Sequence, residues 1–116
     1  MMYWRLPRRC AVPRLVTALI LACIAAPVSA ETIPAARQAH LMNLLVQDCG
    51  SCHGLTMKGG LGTPLLPENL DGKDVDVLTE LILDGIPDTP MPPWRGQLST
   101  AEAKWMVVQL KQGLQP

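Results

Sequence analysis

The sequence predicts an all-α fold, with about three to four helices in one domain. Three segments place apolar residues at helical spacing, and loops rich in glycine and proline separate these segments. No segment alternates apolar and polar residues strongly enough to predict a strand. We therefore expect packed helices to supply the core.

Two predicted helices precede the proline-rich part of the chain. The first runs from about Ala35 to Asp48, and its apolar stripe holds positions i, i+3, i+4 and i+7, namely Met42, Leu45, Val46 and Cys49. The second runs from about Asp74 to Asp84, because an aspartate can cap its start and Gly85 can end it. Its apolar face is formed by Val75, Leu78 and Ile82.

The third predicted helix has the clearest start signal. Ser99-Thr100-Ala101-Glu102 has the form of a capping box, in which the serine hydroxyl and the glutamate carboxylate accept hydrogen bonds from free backbone N–H groups. The helix should run from Thr100 to about Gln112 and pack against the first helix. Its core-facing stripe is predicted to hold Ala103, Met106, Val107 and Leu110.

The N-terminus has the pattern of a secretory signal peptide at residues 1–30. Several arginines precede an apolar run from Leu15 to Ala26, and Val28-Ser29-Ala30 resembles a cleavage site. The run is shorter than the roughly 20 residues that cross a bilayer, which disfavours a retained anchor. Lipidation at Cys23 is the alternative, since Ile20-Leu21-Ala22-Cys23 loosely resembles a lipoprotein cleavage box.

Cleavage after Ala30 would leave one acidic domain, residues 31–116. The whole chain has ten basic and ten acidic residues, and four of the arginines leave with the signal peptide, so the formal charge becomes −4. An acidic surface disfavours nucleic acid and anionic membranes as partners. It favours a protein partner with a basic docking face.

Cys49-Gly50-Ser51-Cys52-His53 matches the C-x-x-C-H motif for covalent attachment of haem c. The two thiols can each bond one haem vinyl group, and His53 then supplies an axial nitrogen to the iron. A dithiol redox site or half of a zinc site also uses C-x-x-C, but neither predicts the histidine that follows. We expect one haem per chain.

Met91 is the candidate for the second axial iron ligand. It lies in Pro87-Asp88-Thr89-Pro90-Met91-Pro92-Pro93-Trp94, where the prolines restrict the conformations of the loop. A weak thioether ligand benefits from such a stiff segment. The alternative is that Met91 only packs against the core.

Three further residues are candidates for contacts with the haem or its ligands. The Pro64 carbonyl can accept a hydrogen bond from the second ring nitrogen of His53. Trp94 and Arg95 can bind a haem propionate, although Trp94 could equally fill the core and Arg95 could be a solvated charge.

A glycine-rich stretch, Gly59-Gly60-Leu61-Gly62-Thr63-Pro64, follows the C-x-x-C-H motif. Such a segment is too rich in glycine for a stable helix and suits close wrapping of the backbone around a flat ligand. A phosphate-binding loop is the alternative. It is disfavoured because no Lys-Ser/Thr pair follows the glycines.

These motifs, in this order, make the chain similar to class I cytochrome c. The resemblance rests on the C-x-x-C-H motif, on Gly62-Thr63-Pro64-Leu65 and on Thr89-Pro90-Met91-Pro92-Pro93-Trp94. It implies the class I cytochrome c fold, wrapped around one covalently bound haem. It also implies that Cys49 and Cys52 hold the haem, that His53 and Met91 bind the iron, and that the Pro64 carbonyl receives the histidine N–H.

More narrowly, the chain resembles the NirC-type small periplasmic cytochromes encoded with cytochrome cd1 nitrite reductase. Gln47 to Leu55, Lys58 to Gly62, and Leu83-Asp84-Gly85 leading to Met91-Pro92-Pro93-Trp94 support this resemblance. It implies a monomeric periplasmic electron carrier, not an enzyme, that serves nitrite reductase in denitrification. A haem-bearing partner in d1 haem maturation and, less favoured, a gas-binding haem protein are the alternatives.

Overall fold

The computed structural model describes residues 32–114. The predicted signal peptide, with Cys23, lies outside the described residues. Within the described part the chain consists of helices and loops and contains no strand, which confirms the all-α prediction. No helix in this part of the chain is long and apolar enough to cross a membrane.

The first helical stretch is continuous from Ala35 to His53. Helix α1 (Ala35–Leu44) leads into a π-helical turn (Leu45–Cys49), and α2 (Gly50–His53) follows directly. In the π turn, the Gly50 N–H donates to the carbonyl five residues earlier, which is the hydrogen bond of a π-helix. The predicted end at Asp48 was therefore too early, and the C-x-x-C-H motif is itself helical.

The buried face of this stretch differs from the predicted stripe. Leu41, Leu44 and Leu45 are buried, whereas Met42 and Cys49 are only half-buried and pack at the edge of the core. Helical spacing alone does not show which face of the helix the neighbouring helices cover. The leucines, which carry no polar atom, occupy the interior.

A short helix, α3 (Pro67–Leu70), was not predicted. It begins with a proline, which suits the first helical position because the missing N–H would have no partner there. The ammonium of Lys111 donates hydrogen bonds to the carbonyls of Leu70 and Lys73, at 2.6 and 2.7 Å. A side chain far along the chain thereby satisfies one carbonyl at the end of α3 and one in the loop that follows it.

The remaining two helices begin where the capping signals predicted. Helix α4 (Val75–Asp84) is capped by the Asp74 carboxylate, which accepts from the N–H groups of Asp76 and Val77 at 2.8 and 3.0 Å. Helix α5 (Thr100–Gln112) has the complete capping box between Ser99 and Glu102.

Helix α5 lies at the centre of the fold. It packs mainly against α4 and also contacts α3 and α1, so the predicted contact with the first helix is present but is not the main one. The stripe predicted for α5 is buried as expected: Ala103, Met106, Val107 and Leu110. Leucines from the other elements complete the core, including Leu41, Leu45, Leu70, Leu83 and Leu98.

Glu102 connects the start of α5 to α1. Its carboxylate accepts from the Arg37 guanidinium and from the backbone N–H of Ser99. The hydrogen bond from Arg37, followed by that from Ser99, lowers the pKa of Glu102 from 4.5 to about 2. The contact therefore favours the folded state most when the carboxylate is ionised.

Replacement of Glu102 with glutamine should make the free energy of unfolding less dependent on pH in the acidic range. Because the folded pKa is the lower one, the stabilisation is complete above about pH 4.5 and is lost as the pH falls towards about 2. We expect Glu102→Gln to cost up to about 1 kcal/mol near neutral pH, because glutamine can keep the capping hydrogen bond but loses the charge that pairs with Arg37, and to cost less at pH 2. Urea unfolding of both proteins at a series of pH values measures this difference.

Glu68→Gln is the matched control, because Glu68 is an exposed glutamate at the start of α3. Its stability curve should follow the parent protein across the whole pH range. Parallel curves for Glu102→Gln and the parent would contradict the prediction.

Candidate functional site

A cavity of about 1050 Å³ lies between the helices and is bordered by six of the seven predicted site residues. These are Cys49, Cys52, His53, Pro64, Met91 and Trp94. Its volume is at the upper end of the range for ligand sites in proteins. The remaining wall is largely apolar, with side chains such as Leu44, Leu45, Leu78, Ile82 and Leu98.

The two thiols of the motif are free and half-buried. Burial, and secondarily the Asp48 carboxylate, raises the pKa of the Cys49 thiol to about 11. A dithiol redox site needs a lowered thiol pKa, because the thiolate is the nucleophile, so this environment disfavours that alternative. Residues 32–114 also contain no group of three or more histidine, cysteine or acidic side chains that could hold a zinc ion.

The imidazole of His53 is oriented by a backbone carbonyl. Its Nδ1 lies 2.7 Å from the carbonyl oxygen of Thr63. A carbonyl can only accept, so Nδ1 carries the proton and Nε2 keeps the lone pair that a metal requires. The predicted acceptor was the Pro64 carbonyl, and the structure places the hydrogen bond one residue earlier, at Thr63. Pro64 itself borders the cavity.

Glycines bring the loop after α2 against the C-x-x-C-H motif itself, a contact that the sequence analysis did not predict. The Gly62 N–H donates to the Cys52 carbonyl at 2.9 Å. A Cβ atom on Gly62 would lie 2.6 Å from Cε1 and 2.7 Å from Nδ1 of His53, which is closer than any side chain tolerates. A Cβ on Gly60 would lie 2.7 Å from the Cys52 carbonyl oxygen. Only glycine lets the backbone pass so near the Cys52 carbonyl at position 60 and so near the imidazole at position 62.

The segment that carries Met91 is fastened to the end of α4. Backbone N–H groups of Trp94 and Arg95 both donate to the Leu83 carbonyl at 3.0 Å, one of the carbonyls that a helix end leaves free. Gly85, with φ of 70°, lets the chain turn there, and a Cβ on it would lie 2.7 Å from the Met91 carbonyl oxygen. These contacts hold Met91 at the cavity wall.

Trp94 and Arg95 separate into different roles. Trp94 is half-buried, packs against the core and borders the cavity. Arg95 does not border the cavity, and its guanidinium donates to the carboxylates of Asp84 and Glu80, at 2.8 Å each. The structure does not support the prediction that Arg95 binds a haem propionate, because its guanidinium pairs with two carboxylates outside the cavity lining.

Sequence reasoning missed two residues that shape this site. Met106 was expected in the core, and it is fully buried there, but it also borders the cavity. Thr63 lies within a motif that was singled out, yet its carbonyl was not considered. The side chain type of neither residue indicates its role. Thr63 acts through its backbone carbonyl, and Met106 belongs to an ordinary apolar stripe of a helix.

The donor set and the walls of the cavity fit haem c. Cys49 and Cys52 could form the two thioether bonds to the haem. The His53 Nε2 and the Met91 sulfur could serve as the protein's ligands to the iron. The apolar walls suit a flat, largely apolar macrocycle. A chain without phenylalanine also gains a large apolar surface to bury when such a group fills the cavity.

Comparison with known proteins places the chain among cytochromes. The family model described as cytochrome C oxidase, cbb3-type, subunit III matches residues 36–108. Cytochrome c55X from Pseudomonas aeruginosa is 50% identical over 99 residues, which cover 85% of this chain and 83% of that protein. The solved structure of a c-type cytochrome NirC is 54% identical with a TM-score of 0.68, covering 69% of this chain and 94% of that one.

A second solved structure is similar over a shorter part of a larger protein. It is described as dihydro-heme d1 dehydrogenase NirN in complex with DHE, is 39% identical and has a TM-score of 0.57. The match covers 64% of this chain and 16% of that one.

The family match implies covalently bound haem c and electron transfer without catalysis of a substrate reaction. The relatives that match over most of their own length are small cytochromes. The chain belongs to the class I c-type cytochromes, in the group that contains NirC and cytochrome c55X.

Proposed function

We propose that this cytochrome is a periplasmic single-electron carrier that serves cytochrome cd1 nitrite reductase in denitrification. In this proposal Cys49 and Cys52 hold one haem c, and His53 and Met91 are the axial iron ligands. The observation that carries the proposal is that all four side chains border one cavity, although Met91 is 38 positions beyond His53 in the sequence. The similarity to NirC supports the choice of partner.

The chain's own residues prepare the site for fast, reversible electron exchange. When bound, the haem supplies a one-electron couple. The Thr63 carbonyl fixes the His53 ring, and the backbone contacts between α4 and the Met91 segment limit how far that ligand can move. His53 and Met91 would together hold the iron from the protein side chains and would leave no position open to a substrate or a gas. Little rearrangement is then needed when the electron arrives or leaves.

The proposal includes export and a transient partner contact. Residues 1–30 act as a signal peptide that is removed after Ala30, so that residues 31–116 reach the periplasm as a monomer. The acidic surface disfavours nucleic acid and anionic membranes as partners and favours a small, short-lived contact with a basic protein face. No stable membrane insertion is part of the proposal.

A second candidate function is a haem-bearing partner in d1 haem maturation. The observation that favours it is the structural similarity to dihydro-heme d1 dehydrogenase NirN. A dehydrogenation releases two electrons, so such an enzyme would need to pass them in single steps to a carrier of this kind.

Stopped-flow mixing separates the two functions. The reduced cytochrome is mixed with oxidised cytochrome cd1 nitrite reductase, and the oxidised cytochrome is mixed with a d1 haem maturation enzyme during turnover. We expect rapid, second-order electron transfer to nitrite reductase that slows as salt is added. Slow exchange with the reductase, together with tight binding to or rapid reduction by the maturation enzyme, would overturn the first function in favour of the second.

A further inference from the structure

The outward face of α4 and the segment after it carry exposed apolar residues, and one of them, Val77, lies away from the haem cavity. Val77 is 59% exposed, and Leu81 and Ile86, farther along the chain, are 40% and 41% exposed. Val77 and Leu81 are four residues apart and so lie side by side on the helix. We call Val77, Leu81 and Ile86 the apolar ridge. Together with Gly85, Val77 and Leu81 line a shallow groove of about 430 Å³.

Carboxylates lie beside the apolar ridge along α4. Asp76, Glu80 and Asp84 line the same groove. Across residues 71–88 every acidic side chain is exposed and the single basic residue is Lys73; the acidic residues are Asp71, Asp74, Asp76, Glu80, Asp84 and Asp88. Lys104 pairs with Asp76, and Arg95 pairs with Glu80 and Asp84, which offsets only part of this charge. The face is therefore apolar at its centre and acidic at its rim.

The apolar ridge is continuous with the haem cavity. Leu81 and Ile86 border that cavity as well as the surface, and the Ile86 N–H donates to the Met91 carbonyl at 3.3 Å. Val77 does not border the haem cavity, so its exposure is independent of what fills it. A protein that covers the ridge would thus touch side chains in direct contact with the redox site.

We propose that the α4 face is the docking surface for a redox protein whose own face has an apolar centre ringed by lysine and arginine. Opposite charges steer such an encounter and set its orientation, while the small apolar area permits rapid release. In each encounter one electron leaves the reduced cytochrome and is taken up by the oxidised partner. The inference rests on the proposed electron-carrier function but not on which protein is the partner.

An electrode tests this face without a natural partner. The haem-loaded exported protein is studied on gold covered with a mixed monolayer of amine-terminated and methyl-terminated thiols, which presents positive charge and apolar surface together. Voltammetry at low ionic strength gives the electron-exchange rate. We expect Val77→Lys to lower this rate by about tenfold, because it places positive charge at the centre of the docking face. Val77→Glu should keep or raise the rate.

Leu55→Lys is the matched control, since Leu55 is 64% exposed in the turn after α2 and borders neither the groove nor the haem cavity. It adds the same charge elsewhere and should change the rate by less than about twofold. The inference is overturned if Leu55→Lys slows exchange as much as Val77→Lys, or if Val77→Glu slows it too. If the variants change the electrode rates as expected but nitrite reductase exchanges electrons slowly, the docking face is supported and the proposed partner is contradicted.

Discussion

Replacement of Met91 with leucine should abolish the far-red absorption band that methionine produces when bound to ferric iron. Leucine keeps the apolar volume at the cavity wall but removes the sulfur, so the fold is expected to survive. The reduction potential should fall, because methionine paired with histidine raises it. Absorption spectra of the oxidised protein and a redox titration measure both effects.

The freed axial position should also bind carbon monoxide. The ferrous Met91→Leu protein is expected to take up the gas stoichiometrically at neutral pH, whereas the parent protein should not. Rapid binding by the parent would favour the gas-binding alternative and contradict axial ligation by Met91.

Met106→Leu is the informative control for this prediction. Met106 also borders the cavity, but it lies in the buried stripe of α5, whereas Met91 lies on a segment fastened to α4 through the Leu83 carbonyl. The far-red band should persist in Met106→Leu. Its loss there and its survival in Met91→Leu would assign the ligand to α5 instead.

Gly62→Ala should displace the His53 imidazole and destabilise the protein by about 1–3 kcal/mol, the usual cost of overpacking. The added Cβ would lie 2.6 Å from the ring, and its three nearest neighbours are all atoms of the imidazole, which the hydrogen bond to Thr63 holds in place. Tilting of the ring weakens the hydrogen bond to Thr63. A less strongly donating imidazole stabilises ferric iron less, so the reduction potential should rise.

Gly96→Ala is the matched control, because nothing lies within 4 Å of a Cβ at that position. Urea unfolding should show a change within about 0.5 kcal/mol for Gly96→Ala, as for most surface changes, and its potential should equal that of the parent. Equal stability and equal potential in Gly62→Ala would contradict the close packing of this glycine against His53.

The helices with local capping signals could be predicted from the sequence. The Asp74 carboxylate caps backbone N–H groups two and three residues away, and Ser99 and Glu102 cap each other within one turn. Such contacts depend only on neighbours in the chain. Helix α3 and the π-helical turn lack a comparable signal, and both were missed.

The site could be predicted where chemistry follows from adjacent residues, and less well where distant segments meet. The motif from Cys49 to His53 indicated haem attachment by its spacing alone. The acceptor for His53 depends on how a loop ten residues later folds back, and the prediction was off by one residue. The role of Arg95 depends on α4, because its guanidinium pairs with Glu80 and Asp84 on that helix.

The amino-acid order alone therefore determined the fold class, the start of α4 and of α5 and the identity of the haem-attachment motif, because each depends on short-range spacing. The tertiary structure decided that Gly62 presses on the His53 ring, that Thr63 orients it and that the apolar ridge of α4 reaches the same cavity as Met91. Gly62 and Thr63 follow His53 by nine and ten positions, and a backbone hydrogen bond from Gly62 to the Cys52 carbonyl folds their loop back onto the motif. Leu81 and Met91 are ten positions apart, and both reach the cavity because the segment after α4 is bound to the Leu83 carbonyl.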